Sequence, residues 1–180
     1  MNPIVVSVAK DKEHQFSKKS VPSITLIEGV GVEGDAHAGE TVQHLSRIAI
    51  DPSVPNLRQV HLIHSELLDE LNAKGFEVRP SDLGENITTR GLDLLSLSKG
   101  TVLKIGAEAA IEITGLRNPC KQIEKFRPHM LKEVLRKNEE GEVEKRAGIM
   151  GVVRIGGKIY QNDEIEVILP QGEPMALVGV

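Results

Sequence analysis

The 180-residue sequence predicts a mainly β, barrel-like domain with a few helices packed at its side or mouth. Three observations carry that expectation. Seventeen glycines and nine prolines punctuate the chain. The runs between them are short and rich in Val and Ile, and only two stretches carry helical spacing. The length suits one domain with a sizeable core, spanning residues 1–180, and no repeat or composition break marks a linker.

The elements follow in order. Pro3 to Val8 is the first expected strand, followed by Ile24 to Glu28 and Gln59 to Ile63. Ser46 to Leu57, with Pro52 and Pro55, is expected to be a plain loop. Ser65 can cap a helix through Leu67, Leu68 and Leu71, with Glu66 and Asp69 near its positive end and Gly75 past its stop. Ile87-Thr88-Thr89 is a short strand. Thr101 to Ile105 and Ala109 to Thr114 form a hairpin about Gly106-Ala107-Glu108. A second helix is expected from about Cys120 to Lys137, with Ile123, Phe126, Met130, Val134 and Leu135 on one face and Pro128 breaking it. Asn138 to Arg146 is charged, carries Gly141, and is expected to be a mobile surface loop. Ile149 to Ile155 and Lys158 to Tyr160 flank Gly156-Gly157, a two-residue turn. Glu164 to Leu169 alternates Ile165, Val167 and Leu169 with polar neighbours, as a half-buried strand does.

Composition excludes several functions. With 22 Lys and Arg against 26 Asp and Glu, the net charge is -4, so non-specific attraction to phosphate backbones is weak. Aromatic residues make up 2% of the chain, too few to stack successive bases. A single cysteine forms no internal disulfide and holds no cysteine-ligated iron–sulfur cluster. The apolar run Pro3 to Ala9 is too short for a signal peptide, and nothing approaches the ~20 apolar residues of a membrane span. A cytoplasmic protein engaging neither nucleic acid nor membrane is expected.

The cysteine, Cys120, lies in Arg117-Asn118-Pro119-Cys120-Lys121. Asn118 suits an N-cap and Pro119 the first helical position, which puts Cys120 in a first turn that favours an anion, flanked by Arg117 and Lys121. A thiolate there attacks or ligates a soft metal; the plain alternative is a small buried hydrophobe. Three further segments stand out. Gly34-Asp35-Ala36-His37-Ala38-Gly39 offers a carboxylate and an imidazole on a loop of small residues, or else a turn in which Asp35 bonds its own backbone. Gly84-Glu85-Asn86 can grip a polar ligand or tie down a turn. Arg146 before Gly148 and Gly151 can hold a phosphate or sit solvated. His61 and His64 lack third and fourth zinc ligands at sensible spacing. No nucleophile elbow, phosphate loop or dinucleotide fingerprint is present, and a Cys120–His37 dyad is possible in principle.

Taken together and in this order, these segments resemble the MOSC domain, named after the C-terminal part of molybdenum cofactor sulfurases. The likeness runs through Val32 to His37, Val60 to Glu66, Leu83 to Asp93, Lys99 to Gly106, Arg117 to Cys120 and Gly148 to Asp163, and covers residues 4 to 169. It implies a closed, pyruvate-kinase-barrel-like β domain with a few flanking helices and the cysteine at the mouth of a cleft. By this resemblance Cys120 is the metal ligand of a molybdenum pyranopterin cofactor, or carries a persulfide. Asp35 and His37 would join Cys120 in catalysis, with one of them handling a proton. Glu85, Asn86, Arg117, Lys121 and Arg146 would bind the cofactor and its phosphate. Standalone bacterial members are similar to proteins that reduce N-hydroxylated base analogues. A molybdenum-dependent oxidoreductase with a small N-hydroxylated substrate and a separate electron-transfer protein is therefore expected. The alternatives are a sulfur carrier serving a sulfur acceptor and a non-catalytic cofactor-binding module. Pyridoxal phosphate belongs to members with a fused sulfurase domain and is not expected here.

Overall fold

The computed structural model describes residues 2–180, in which strands predominate and helices are few and short. The chain opens with β1 (Ile4–Lys10), β2 (Lys19–Val21), β3 (Ser23–Ile27) and β4 (Gly31–Val32). The helix α1 (Leu45–Ile48) precedes β5 (Val60–His64), which runs directly into α2 (Ser65–Ala73). Next come β6 (Ile87–Arg90), β7 (Val102–Ile105), β8 (Ala109–Leu116), α3 (Lys121–Phe126) and α4 (Leu131–Val134). The last strands are β9 (Leu135–Lys137), β10 (Val143–Lys145), β11 (Ile149–Ile155), β12 (Gly157–Tyr160) and β13 (Ile165–Ile168).

Eight strands build one sheet in the order β13-β7-β8-β11-β5-β6-β1-β2, antiparallel except where β5 runs parallel to β6. The expected closed barrel is corrected to an open, curled sheet. The reason lies in β1, which divides its second edge. Val8 to Lys10 pair with β2, while Ile4 alone bridges Glu164, supported by Val5 N donating to Asp163 O and Ile165 N to Pro3 O, each at 2.9 Å. The seam is one bridge and not a ladder.

Four further expectations are corrected. Gly156-Gly157 is no hairpin turn, because β12 pairs with β3 and not with β11; the glycines mark where the chain changes sheets, and a Cβ on Gly156 would press on the Leu26 carbonyl. Asn138 to Arg146 is not a free loop. β9 and β10 form a hairpin there, with Asn138 Oδ1 accepting from the amides of Glu140 and Glu142. The helix expected over 120–137 breaks around Pro128 as expected, but it spans only α3 and α4 and ends at Val134, because Leu135 has left helical geometry for β9. His64, not Ser65, is the cap residue of α2, and Gly75 takes the positive φ of 86° expected past the helix end.

Two apolar cores result. Inside the curl pack Val5, Leu62, Ile87, Leu103 and Ile111; outside, α2, α3 and α4 cover Ile63 with Leu67, Leu71, Ile123, Met130 and Val134. Since β5 sends Leu62 to one core and Ile63 to the other, every residue of the strand is buried, His61 and His64 included. Among the described residues no helix is long and apolar enough to cross a membrane.

Candidate functional site

At one end of the curled sheet the segment after β1, the 34–58 loops, the turn before β6 and the chain leaving β8 enclose a cavity of about 320 Å³. Lys18, His37, Arg58, Asn86, Arg117 and Cys120 line it. His44 and Arg47 reach it from the loop carrying α1, whose neck is pinched by the Thr41–Pro55 bridge and by Asn56 Nδ2 donating to the carbonyls of His37 and Gly39.

Cys120 is half-buried on the wall and is the N-cap of α3, in extended geometry, instead of lying in its first turn. Asn118 is unavailable as the cap because its Oδ1 accepts from Lys145 Nζ at 2.6 Å and its Nδ2 donates to Val180 O. The Cys120 sulfur donates to Gln122 Oε1 at 3.5 Å.

His37 lines the same cavity, and its Nδ1 lies 3.4 Å from Asp35 Oδ1. Asp35 does not reach the cavity surface. It is buried, with Lys18 Nζ at 2.5 Å and Asn86 Nδ2 at 3.1 Å from Oδ2, and it accepts from the amides of Asp11 and His37. Burial alone would raise its carboxyl, but the His37 contact and the charge and hydrogen bond of Lys18 overcome this and hold it well below the usual range. Asn86 joins the layers: Oδ1 accepts from His61 N, and Nδ2 also donates to Ala9 O. Glu85 is fully buried beneath the turn and away from the wall, accepting from Ser81 N at 2.6 Å and Thr88 Oγ1 at 2.9 Å. Burial pushes its carboxyl up, and Oε2 has no partner.

The charge of the cavity is the opposite of the chain's. Arg47, Arg58 and Arg117 form no salt bridge among the described residues. Arg117 is 7% exposed, packs its guanidinium over Phe16 at 5.7 Å from the ring centre, and leaves Nη1 without a partner. Burial and then the charges of Arg47 and Arg117 bring Arg58 down to about 10, and burial lowers Arg117; a charge on Cys120 acts the other way on both. His61, buried with Nε2 2.8 Å from Ala147 O, is held neutral by burial and then by Arg117. This arrangement attracts an anion against a soft sulfur ligand.

Besides Asp35 and Glu85, two more residues singled out in the sequence lie off the cavity wall. Lys121 is exposed at the start of α3 and does not line the cavity. Arg146 faces another cleft and is held bidentately by Glu70, with Nη2–Oε2 at 2.5 Å and Nη1–Oε1 at 3.0 Å. Sequence reasoning missed Lys18, His44, Arg47 and Arg58. Apart from charge, nothing local distinguishes them from solvated residues, and the loop holding α1 carries no motif. Among the described residues no group of three or more His, Cys, Asp or Glu side chains is placed to hold a metal ion by itself.

The chain is similar to the YuaD protein of Bacillus subtilis, with 25% identity and a TM-score of 0.76 over 95% of this chain and 98% of that one. It shares its fold with YiiM of Escherichia coli, at 17% identity and a TM-score of 0.60 over 96% of this chain and 73% of that one. YiiM of Geobacillus stearothermophilus gives 15% and 0.65 over 96% and 77%. No curated protein matches the chain. The profile of the MOSC domain matches residues 32–166, three-quarters of the sequence, and the chain therefore belongs to the MOSC domain family, which is linked to molybdenum cofactor binding.

Proposed function

We propose that this protein binds a molybdenum pyranopterin cofactor in the Cys120 cavity and reduces small N-hydroxylated compounds with electrons from a separate donor protein. The observation that carries the reading is the set of three arginines without acidic partners around the chain's one thiol, with Arg117 Nη1 buried and unpaired. Buried donors are rarely left unpaired, so an anionic ligand completes this site. The donor set fits the group: a thiolate suits molybdenum, and the guanidinium groups suit the terminal phosphate.

The bound group would supply the two-electron chemistry, and Cys120 Sγ would hold its metal. Arg47, Arg58 and Arg117 bind and orient the anion. Reduction of an N–OH group consumes two electrons and two protons, breaks the N–O bond, forms N–H and releases water. His37, oriented by Asp35 through Nδ1, has Nε2 left to deliver a proton to the departing oxygen. Lys18 and Asn86 fix Asp35, so they act as positioning residues.

Elemental analysis of protein purified from a cofactor-producing host tests this: wild type retains molybdenum, Cys120→Ala loses it, and a Cys120→Ala protein with wild-type molybdenum content removes the ligand role. A second reading, sulfur carriage, is supported by a free, half-buried Cys120 thiol at the cavity wall. It predicts a mass increase of one sulfur atom on Cys120, reversed by reductant, in protein without molybdenum.

A further inference from the structure

A second cleft, of about 640 Å³ and open to solvent, shares no lining residue with the Cys120 cavity. Strand β5 serves both, presenting His61 to the first and, at its end, His64 to the second. His64 is 9% exposed and its Nδ1 has no partner. The Oγ of Ser65 and the Oγ1 of Thr89, the residue opposite His64 in the parallel register, are likewise buried and unpaired. Of the three residues only His64 lines the cleft, so its unpaired imidazole is the group that a ligand bound there would complete.

The lining says what kind of partner. The cations there are already engaged: Arg146 by Glu70, Arg136 by Glu144 at 2.9 Å, and Lys145 by Asn118. Glu66 and Asp93 meet no cation among the described residues; each spends one oxygen on a backbone amide, of Gly91 and Leu95 respectively, and keeps the other. Both carboxylates act electrostatically on His64, whose imidazole burial keeps neutral. Leu67, Leu92, Leu95, Leu116 and Val143 supply apolar wall.

We propose that this cleft binds a small primary amine with an apolar body, its ammonium group shared among Glu66, Asp93 and the His64 imidazole and its hydrocarbon part lying on the leucine wall. The site is independent of the Cys120 chemistry.

Titration of the protein with phenethylamine, followed by backbone amide chemical shifts, tests it against the neutral isostere 2-phenylethanol. Saturable binding is expected, with shifts in residues 64–70, 91–95 and 143–146 and at least about tenfold preference over the alcohol. Glu66→Gln with Asp93→Asn keeps both oxygen acceptors for the amides of Gly91 and Leu95, so the fold is retained while amine affinity drops about tenfold or more. Cys120→Ala binds the amine as wild type does. Absence of saturable binding, equal binding of the alcohol, unchanged affinity in the double variant, or shifts centred on Cys120 overturns the proposal.

Discussion

Asp35 and Asn86, 51 residues apart in sequence, meet at 3.1 Å under the floor of the Cys120 cavity, joining the histidine-bearing loop to the turn before β6. Through this contact one carboxylate holds Lys18, His37 and Asn86 together.

Removing that carboxylate strands a charge. The Lys18 and Asp35 side chains are 4% and 0% exposed, so Asp35→Ala leaves a buried ammonium unpaired and should cost about 3–5 kcal/mol in denaturant unfolding. The pH dependence has a definite sign. Because the folded carboxyl lies below its ordinary value of 3.8, the stabilisation is present above that value and is lost as pH falls below it. An acid titration of stability in which Asp35→Asn matches wild type in slope would contradict this.

Anion binding should concentrate on the unpaired arginines. Sulfate affinity, measured calorimetrically, is expected to fall about tenfold in Arg58→Gln and in Arg117→Gln. Arg146→Ala should leave it unchanged while lowering stability by about 1 kcal/mol, since the Glu70 pair is partly solvated. Lys121→Ala should alter neither.

Sulfate should stabilise the protein more at pH 5.5 than at pH 7.5. Burial and then Arg58, His37, Arg47 and His14 hold His44 below its ordinary 6.5, so below that value the unfolded chain binds more protons and stability declines as pH falls. A bound anion offsets the repulsion and recovers part of the loss, which melting temperatures with and without sulfate at the two pH values measure.

Gly148 tolerates no side chain. Its φ is 91°, a Cβ would collide with the Leu62 carbonyl and with Ile63, and its own carbonyl accepts from Arg117 N at 3.0 Å. Gly148→Ala should destabilise by about 1–3 kcal/mol and weaken sulfate binding together, because the strain is transmitted to the segment holding Arg117.

The strand runs were legible because Val and Ile alternate between glycine and proline breaks, as in β13 and in the β7–β8 hairpin. Pairing partners were not. β12 begins at the second of two glycines suited to a hairpin and yet joins β3, a choice made by contacts more than 130 residues apart in the chain. At the site, Cys120, His37, Asn86 and Arg117 sat in recognisable motifs and share one cavity. Lys121 was implicated by adjacency to the cysteine, but the first turn of α3 directs it outward. Arg146 was implicated by its glycines, and its partner Glu70 lies on a helix 76 residues away. Arg47 and Arg58 sit on or beside a segment without periodicity, and only the folded path of the chain shows that they line the same cavity as the thiol.

The pinch at Thr41 and Pro55 brings the two ends of the segment between them together. Its exposed Leu45 and Ile50 add nothing to either core, so the segment can lengthen, shorten or change composition while the sheet beneath stays as it is. Because the same segment brings His44 and Arg47 to the cavity, a change in it alters the charge around the sulfur and leaves the strands untouched.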